Sequence, residues 1–358
     1  MRQDPPPKRP DWLDEPYRPA APPPPGDPAP APLTIDDQHR PLSAESWTAE
    51  RRSTLEKLWK EFLGEITRRT APPRVEVLET EGVEGIRRSR IRYESEPGLP
   101  VEAYLLRPDG PGSGRPAAVV LHSTIAYTIR QPAGLEGPED KWIGLHLAKR
   151  GYVAICPRCF LWEYGSPDDL AKAVDWLKAR HPHVKGMAKM LHDARVALDI
   201  VADQPDVDPG RIGTIGHSLG AKEALYLSAF DPRVKAAIFS EGGIGLNLSN
   251  WEAPWYLGDT IRRPGFGLDH AQILALSAPR PFLIIGGESA DGDRSWPYVE
   301  AARPLWELLG SPDSVALFNH RRGHAYPPEA RARAEQWLDW FLRKTPEAAS
   351  RAGPNQRI

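Results

Sequence analysis

One serine in this 358-residue chain stands between two glycines, in Gly216-His217-Ser218-Leu219-Gly220. A serine hydroxyl becomes a nucleophile only when a base takes its proton and an acid orients that base. Candidates for both follow downstream. "ESADGDRSWP" offers Glu288, Asp291 and Asp293, and "NHRRGHAYPPEA" offers His320 and His324. At a strand–serine–helix corner of a parallel sheet the partners follow in the order acid, then histidine. His324, in a loop after Gly323, is the expected base, whereas His320 ends an apolar run and reads as packing. Asp291 is the expected acid and Asp293 the alternative. Attack on a carbonyl also needs main-chain N–H donors for the developing oxyanion. Leu219 is one expected address, and Ser123 or Thr124, at the loop after "AAVVLHS", is the other.

These residues work only if strands and helices bring them to one edge. "AAVVLHS", "GYVAICP", "RIGTIG", "VKAAIFS", "RPFLIIGG" and "SVALFNH" are short and almost continuously apolar, as strands buried on both faces are. Helical patterns such as "MAKMLHDARVALDIVAD", "SLGAKEALYLSAF" and "RARAEQWLDWFL" separate them. Before them, "RVEVLETEGVEGIRRSRIRYES" and "VEAYLLRP" alternate like antiparallel strands. The expected fold is α/β: a doubly wound, mostly parallel sheet with antiparallel N-terminal strands. Its ligand edge is the carboxyl end of the strands, where the serine, acid and histidine loops all fall. In "WTAERRSTLEKLWKEFLGEI", Leu55, Leu58, Trp59, Phe62, Leu63 and Ile66 form one helical stripe that should pack on the domain.

The ends differ in composition. Thirteen of the first 32 residues are proline, so residues 1–42 are expected to be a disordered tail. Residues 43–346 form the folded domain and residues 347–358 a flexible C-terminal tail. Within the domain, residues 241–277 are too long for a simple crossover and read as a cap-like insertion. Trp251, Trp255 and Tyr256 in the cap, Phe160, Trp162 and Tyr164 after "CPRC", and Trp296 after the acid loop are candidates to line a substrate pocket. Cys156 and Cys159 have redox-motif spacing, but they follow a mid-sheet strand and no second cysteine pair exists to complete a zinc site; they read as structural. No cofactor or metal is expected.

A net charge of −2 gives no electrostatic footprint for nucleic acid or an anionic membrane, and neither is an expected partner. No apolar run reaches the ~20 residues of a membrane span. The N-terminus has no apolar signal-peptide core, so a cytoplasmic location is expected. Nothing in the sequence speaks to oligomeric state.

From residue 100 to residue 343 the chain resembles the α/β-hydrolase superfamily, most closely its dienelactone hydrolase-like and acetyl xylan esterase-like branch. "VVLHST", "DVDPGRIGTIGHSLGAKEAL", "APRPFLIIGGESADGDRSWPYVEAARPLWELLG" and "GHAYPPEARARAEQWLDWF" carry the resemblance. It implies a serine hydrolase acting on small esters, with Ser218 on the nucleophile, His324 on the base and Asp291 or Asp293 on the acid. Two departures stand out. The oxyanion segment reads His-Ser-Thr where many relatives have His-Gly, and a true dienelactone hydrolase would carry cysteine at position 218. A peptidase like the prolyl oligopeptidase catalytic domain and a non-catalytic ligand-binding member of the fold are the rival readings.

Overall fold

The computed structural model describes residues 7–15, 17–20, 30–31, 33–35 and 40–343. Among these, nine strands form one sheet in the order β1-β2-β3-β5-β4-β6-β7-β8-β9. They are β1 (Glu76–Val83), β2 (Ile86–Glu96), β3 (Leu99–Pro108), β4 (Arg115–Leu121), β5 (Val153–Pro157), β6 (Val207–His217), β7 (Val234–Ser240), β8 (Phe282–Gly286) and β9 (Val315–Asn319). β1, β2, β3 and β5 pair antiparallel, and β5 through β9 run parallel.

The helices are α1 (Ala44–Ser46), α2 (Arg52–Leu63), α3 (Ile143–Lys149), α4 (Phe160–Glu163), α5 (Ala171–Arg180), α6 (Gly186–Ala202), α7 (Leu219–Phe230), α8 (His270–Leu276), α9 (Trp296–Leu308) and α10 (Pro328–Leu342). They cover both faces of the sheet, which explains the unbroken apolar strands. In β4, Ala117, Val119 and Leu121 enter the core beneath α6 and α7, while Ala118 and Val120 enter the core beneath α3 and α10. α2 buries Leu55, Trp59 and Leu63, one residue per turn, and leaves Leu58 exposed at the flank of the stripe.

The proline-rich N-terminal segment departs from expectation. Its described residues dock on the domain. Arg9 pairs with Asp313 at 2.8 Å, Trp12 stacks on Trp337 of α10 and bonds Gln336, and Tyr17 lies against Trp296 of α9. Two aromatic rings supply the apolar area that composition alone hides. The C-terminal tail assigned to 347–358 lies outside the described residues.

Candidate active site

Ser218 ends β6 and opens α7 with φ +60° and ψ −117°. A non-glycine residue rarely adopts such a φ, and the fold must hold it there. Two glycines make the corner possible. A Cβ at Gly216 would strike the backbone of Gly220, and a Cβ at Gly220 would strike that of Leu121 in β4. The corner places Leu219 in the first turn of α7, where N–H groups have no helical acceptor and favour negative charge.

Backbone bonds stitch the neighbouring strand ends together. Ser218 N–H donates to Ser240 O at the end of β7 (2.8 Å), and Glu241 N–H to Ile285 O in β8 (2.9 Å). His320 N–H donates to Gly286 O (2.8 Å) and Gly323 N–H to Gly287 O (2.6 Å), so β8 also fixes the loop that carries His324. His324 Nδ1 lies 3.2 Å from Glu241 Oε2. Nδ1 therefore carries the proton and Nε2 stays open as a base. Glu241 is almost fully buried and also accepts from Gly287 N–H and from Ala290 N–H, the latter at 2.7 Å. It sits at φ +52°, a second strained residue at the end of the strand next to β6.

The carboxylate at hydrogen-bond distance from His324 is thus Glu241 and not Asp291 or Asp293. Asp291 is fully buried and accepts from Gly243 N–H (2.6 Å), Ile244 N–H (2.9 Å) and Ser295 Oγ–H (2.7 Å). Burial raises its pKa to about 6; the Ile244 N–H bond opposes the rise and the Glu241 charge adds to it. Asp293 faces the N-terminal segment, accepting from Tyr17 Oη–H, Ala20 N–H, Asn319 and Arg321. A sequence argument that looks for the acid one strand later, after β8, passes over Glu241. The available signal was a carboxylate placed directly after the apolar strand "VKAAIFS" and followed by two glycines.

His217, beside the serine, is buried with Nδ1 at 3.0 Å from Ser240 Oγ, its ring 4.8 Å from that of His324. Burial holds its pKa well below normal, so it supports His324 as a neutral ring. On the oxyanion side, the His122 ring sits between Ser123 O (2.7 Å from Nδ1) and Cys159 N–H (3.0 Å from Nε2). The N–H donor at Nε2 assigns the proton to Nδ1, and burial lowers the pKa to about 4. Ser123 Oγ–H donates to His217 O at 3.2 Å, which brings the β4 loop against the strand leading to Ser218. Thr124 is exposed, and its side chain bonds Tyr256 of the cap-like segment.

The aromatic candidates divide. Trp162 lies edge-on to His122, with ring centroids 5.2 Å apart. Trp255 is half-buried, its backbone against Gly186 at the start of α6. Phe160 and Trp251 are fully buried; Trp251 donates to Gly243 O at 2.7 Å and packs on His270 and Lys222. Trp296 lies under Tyr17 and Arg303, with the N-terminal segment. Cys156 and Cys159 are buried free thiols whose pKa values burial raises, so neither is poised to react. Among the described residues, no group of three or more His, Cys, Asp or Glu could hold a metal, and no helix is long and apolar enough to cross a membrane.

A parallel sheet, a strained serine at a strand–helix corner and a histidine delivered after the last strand define the architecture. This is an α/β-hydrolase fold. Residues 101–254 match the dienelactone hydrolase family, a span that includes Ser218 and Glu241 but not His324. YtaP of Bacillus subtilis is 43% identical over 166 residues, covering 43% of this chain and 53% of its own. The chain spans about half the length of the curated relatives it matches. A glucuronoyl esterase from Solibacter usitatus superposes with TM-score 0.68 at 19% identity, covering 87% of this chain and 98% of its own. A glucuronoyl esterase from Teredinibacter turnerae gives 0.64 at 19% identity, covering 87% and 88%. At such identities the α/β-hydrolase likeness is one of fold.

Proposed function

We propose that the protein is a serine hydrolase of small carboxylic esters that works through Ser218, His324 and Glu241. The observation that carries this reading is the pair of strained residues at adjacent strand ends, with His324 held on the second by its Nδ1. In the proposed reaction Ser218 Oγ attacks the ester carbonyl while His324 Nε2 takes its proton. Leu219 N–H and the main chain at Ser123 or Thr124 receive the oxyanion. His324 then protonates the departing alcohol, and water activated by the same nitrogen releases the acid. Glu241 keeps the imidazole in one tautomer and stabilises its charged form. No step needs a cofactor. An acetylated carbohydrate or another short acyl ester is the proposed substrate; the matched dienelactone hydrolase segment and the esterase neighbours support it.

The test is p-nitrophenyl acetate hydrolysis by the intact protein and by Ser218→Ala. Loss of at least three orders of magnitude in kcat, together with loss of covalent fluorophosphonate labelling, is expected. Equal slow turnover by both proteins would remove the hydrolase reading.

A further inference from the structure

The loops that follow β8 and β9 carry a second constellation, which the reaction above does not use. Each holds one non-glycine residue at positive φ: Glu288 at +71° and Arg321 at +56°. Left-handed backbone is disfavoured for such side chains, so something must hold both residues there. Each is held from the other loop. Arg321 Nη1 lies 3.4 Å from Glu288 Oε1. Arg321 Nη2 lies 2.9 Å and 3.1 Å from the two carboxylate oxygens of Asp293, and Nη1 lies 3.2 Å from Oδ2. Asn319, at the end of β9, accepts from Arg321 N–H at 3.1 Å and donates to Asp293 Oδ1 (3.1 Å) and to Glu288. Asp293 N–H donates to Glu288 Oε1 at 3.1 Å, and Ala20 N–H (2.7 Å) and Tyr17 Oη–H close the network from outside. Exposed ion pairs contribute little as a rule, but this one is a guanidinium forked onto a carboxylate whose side chain is only 12% exposed, within a network that joins two loops. Burial opposes ionisation of Asp293, yet the bonds from Tyr17, Ala20, Asn319 and Arg321 outweigh it and hold the carboxyl below its ordinary pKa.

What this clasp holds is the loop of the base. Arg321 lies between His320 and Gly323, whose N–H groups bond the main chain of Gly286 and Gly287, and His324 comes next. The two loops touch closely: a Cβ at Gly287 would strike Gly323 O and the His320 ring. The His324 side chain, by contrast, is 44% exposed, and among the described residues its hydrogen-bond partner is Glu241, at 3.2 Å. Where the imidazole sits is therefore set by where its loop sits. Two main-chain bonds define a line about which a loop can still rock. A side-chain attachment off that line stops the rocking. Arg322 does not supply it, since its N–H meets the His320 ring and its side chain pairs with Glu329 of α10. Arg321 does, because its guanidinium crosses to the β8 loop. Misplacing a catalytic group by about 1 Å can cost a hundredfold in rate, so the attachment bears on the chemistry.

We propose that Arg321 is a positioning residue: clasped by Asp293 and Glu288, it holds the β9 loop so that His324 keeps its contact with Glu241 and faces the serine. The proposal rests on the hydrolase reading for its purpose, but one arm of its test needs no turnover. In the first arm, full-length Arg321→Ala is assayed on p-nitrophenyl acetate. A tenfold or greater fall in kcat with KM within twofold is expected, and millimolar guanidinium should restore part of the loss where sodium chloride at equal ionic strength does not. Arg321→Lys, which keeps the charge and loses the fork, should fall between the two proteins. In the second arm, Ser218→Ala labelled with ¹⁵N-histidine is observed by long-range ¹H–¹⁵N correlation at a pH where the ring is neutral. The His324 signals are assigned by their loss in His324→Gln. The proton is expected on Nδ1 in this parent, and adding Arg321→Ala should mix the two tautomers. The same tautomer state in both proteins overturns the proposal. So do, where the ester is hydrolysed, a kcat within twofold of native and a loss that guanidinium leaves untouched. If the tautomers mix as expected while the native protein hydrolyses no ester, the clasp stands and the hydrolase reading falls. Arg321→Gln replaces the alanine variant if that variant loses the native melting transition.

Discussion

Glu241 and Asp291 are two buried carboxylates at the ends of adjoining strands, and they have opposite employment. Glu241 follows β7 directly, turns at positive φ, and gives one oxygen to the His324 ring. Asp291 sits five residues beyond β8 and gives both oxygens to loop donors, two of them the N–H groups of Gly243 and Ile244. Those N–H groups immediately follow the turn that presents Glu241. One carboxylate faces the reacting edge, and the other holds the loop from which the first projects. Burial does not separate the two roles, since both are buried. What each oxygen touches does.

Exchanging charge for amide at each position should break this comparison most clearly. Glu241→Gln should lower kcat for p-nitrophenyl acetate by about 10³–10⁴, with KM little changed, because the imidazole loses its tautomer anchor. Asp291→Asn should retain at least a hundredfold more activity than Glu241→Gln. If the two losses are reversed in size, Asp291 is the working acid and the assignment fails.

Stability should show the opposite ranking. Asp291→Asn sets an amide N–H₂ against at least one of the donors that the carboxylate accepts from and should cost about 2–4 kcal/mol in urea unfolding. The same group predicts a pH effect. Its folded pKa, about 6, lies above its unfolded value of 3.8. The folded state therefore binds the proton more tightly. That contribution is complete below pH ~4 and is lost as pH rises through about 6, a change of about 3 kcal/mol. Unfolding curves from pH 4 to 7 should fall with this slope in the native protein and flatten in Asp291→Asn. The smallest effect belongs to Tyr17→Phe, which removes the hydroxyl from Asp293. A loss of about 1 kcal/mol is expected, with kcat within twofold of the native value.

The same contrast explains what the sequence could disclose. Apolar runs without polar interruption marked the parallel strands, and the glycines flanking Ser218 marked the corner, because both are local consequences of crowding. The position of His324 in the loop after the last strand was legible in the same way. Glu241 was not, because either of two strand ends can bring a carboxylate to the same imidazole, and only the register of the loops decides between them. Trp251 was ambiguous for a similar reason: its pairing with Gly243 O depends on how the segment after β7 folds back. The docking of Trp12 and Tyr17 hid behind prolines, since two rings in a segment of low apolar content escape any average over composition.

That N-terminal segment has a further consequence. Arg9 meets Asp313 just before β9, Trp12 and Leu13 lie with Val315, Ala316 and Leu317 around a cavity of about 390 Å³, and Tyr17 reaches Asn319 at the strand's end. The segment runs the length of β9, the last strand of the sheet. An open outer strand is a template on which another chain can add its own. The prolines that make this stretch a poor helix or strand also make it a poor partner for such addition, while its aromatics keep it in place. So placed, it would serve as a selvedge, finishing a fabric that would otherwise ravel into its neighbours. Removing residues 1–20 should therefore convert a well-behaved particle into one whose apparent mass in light scattering grows with concentration.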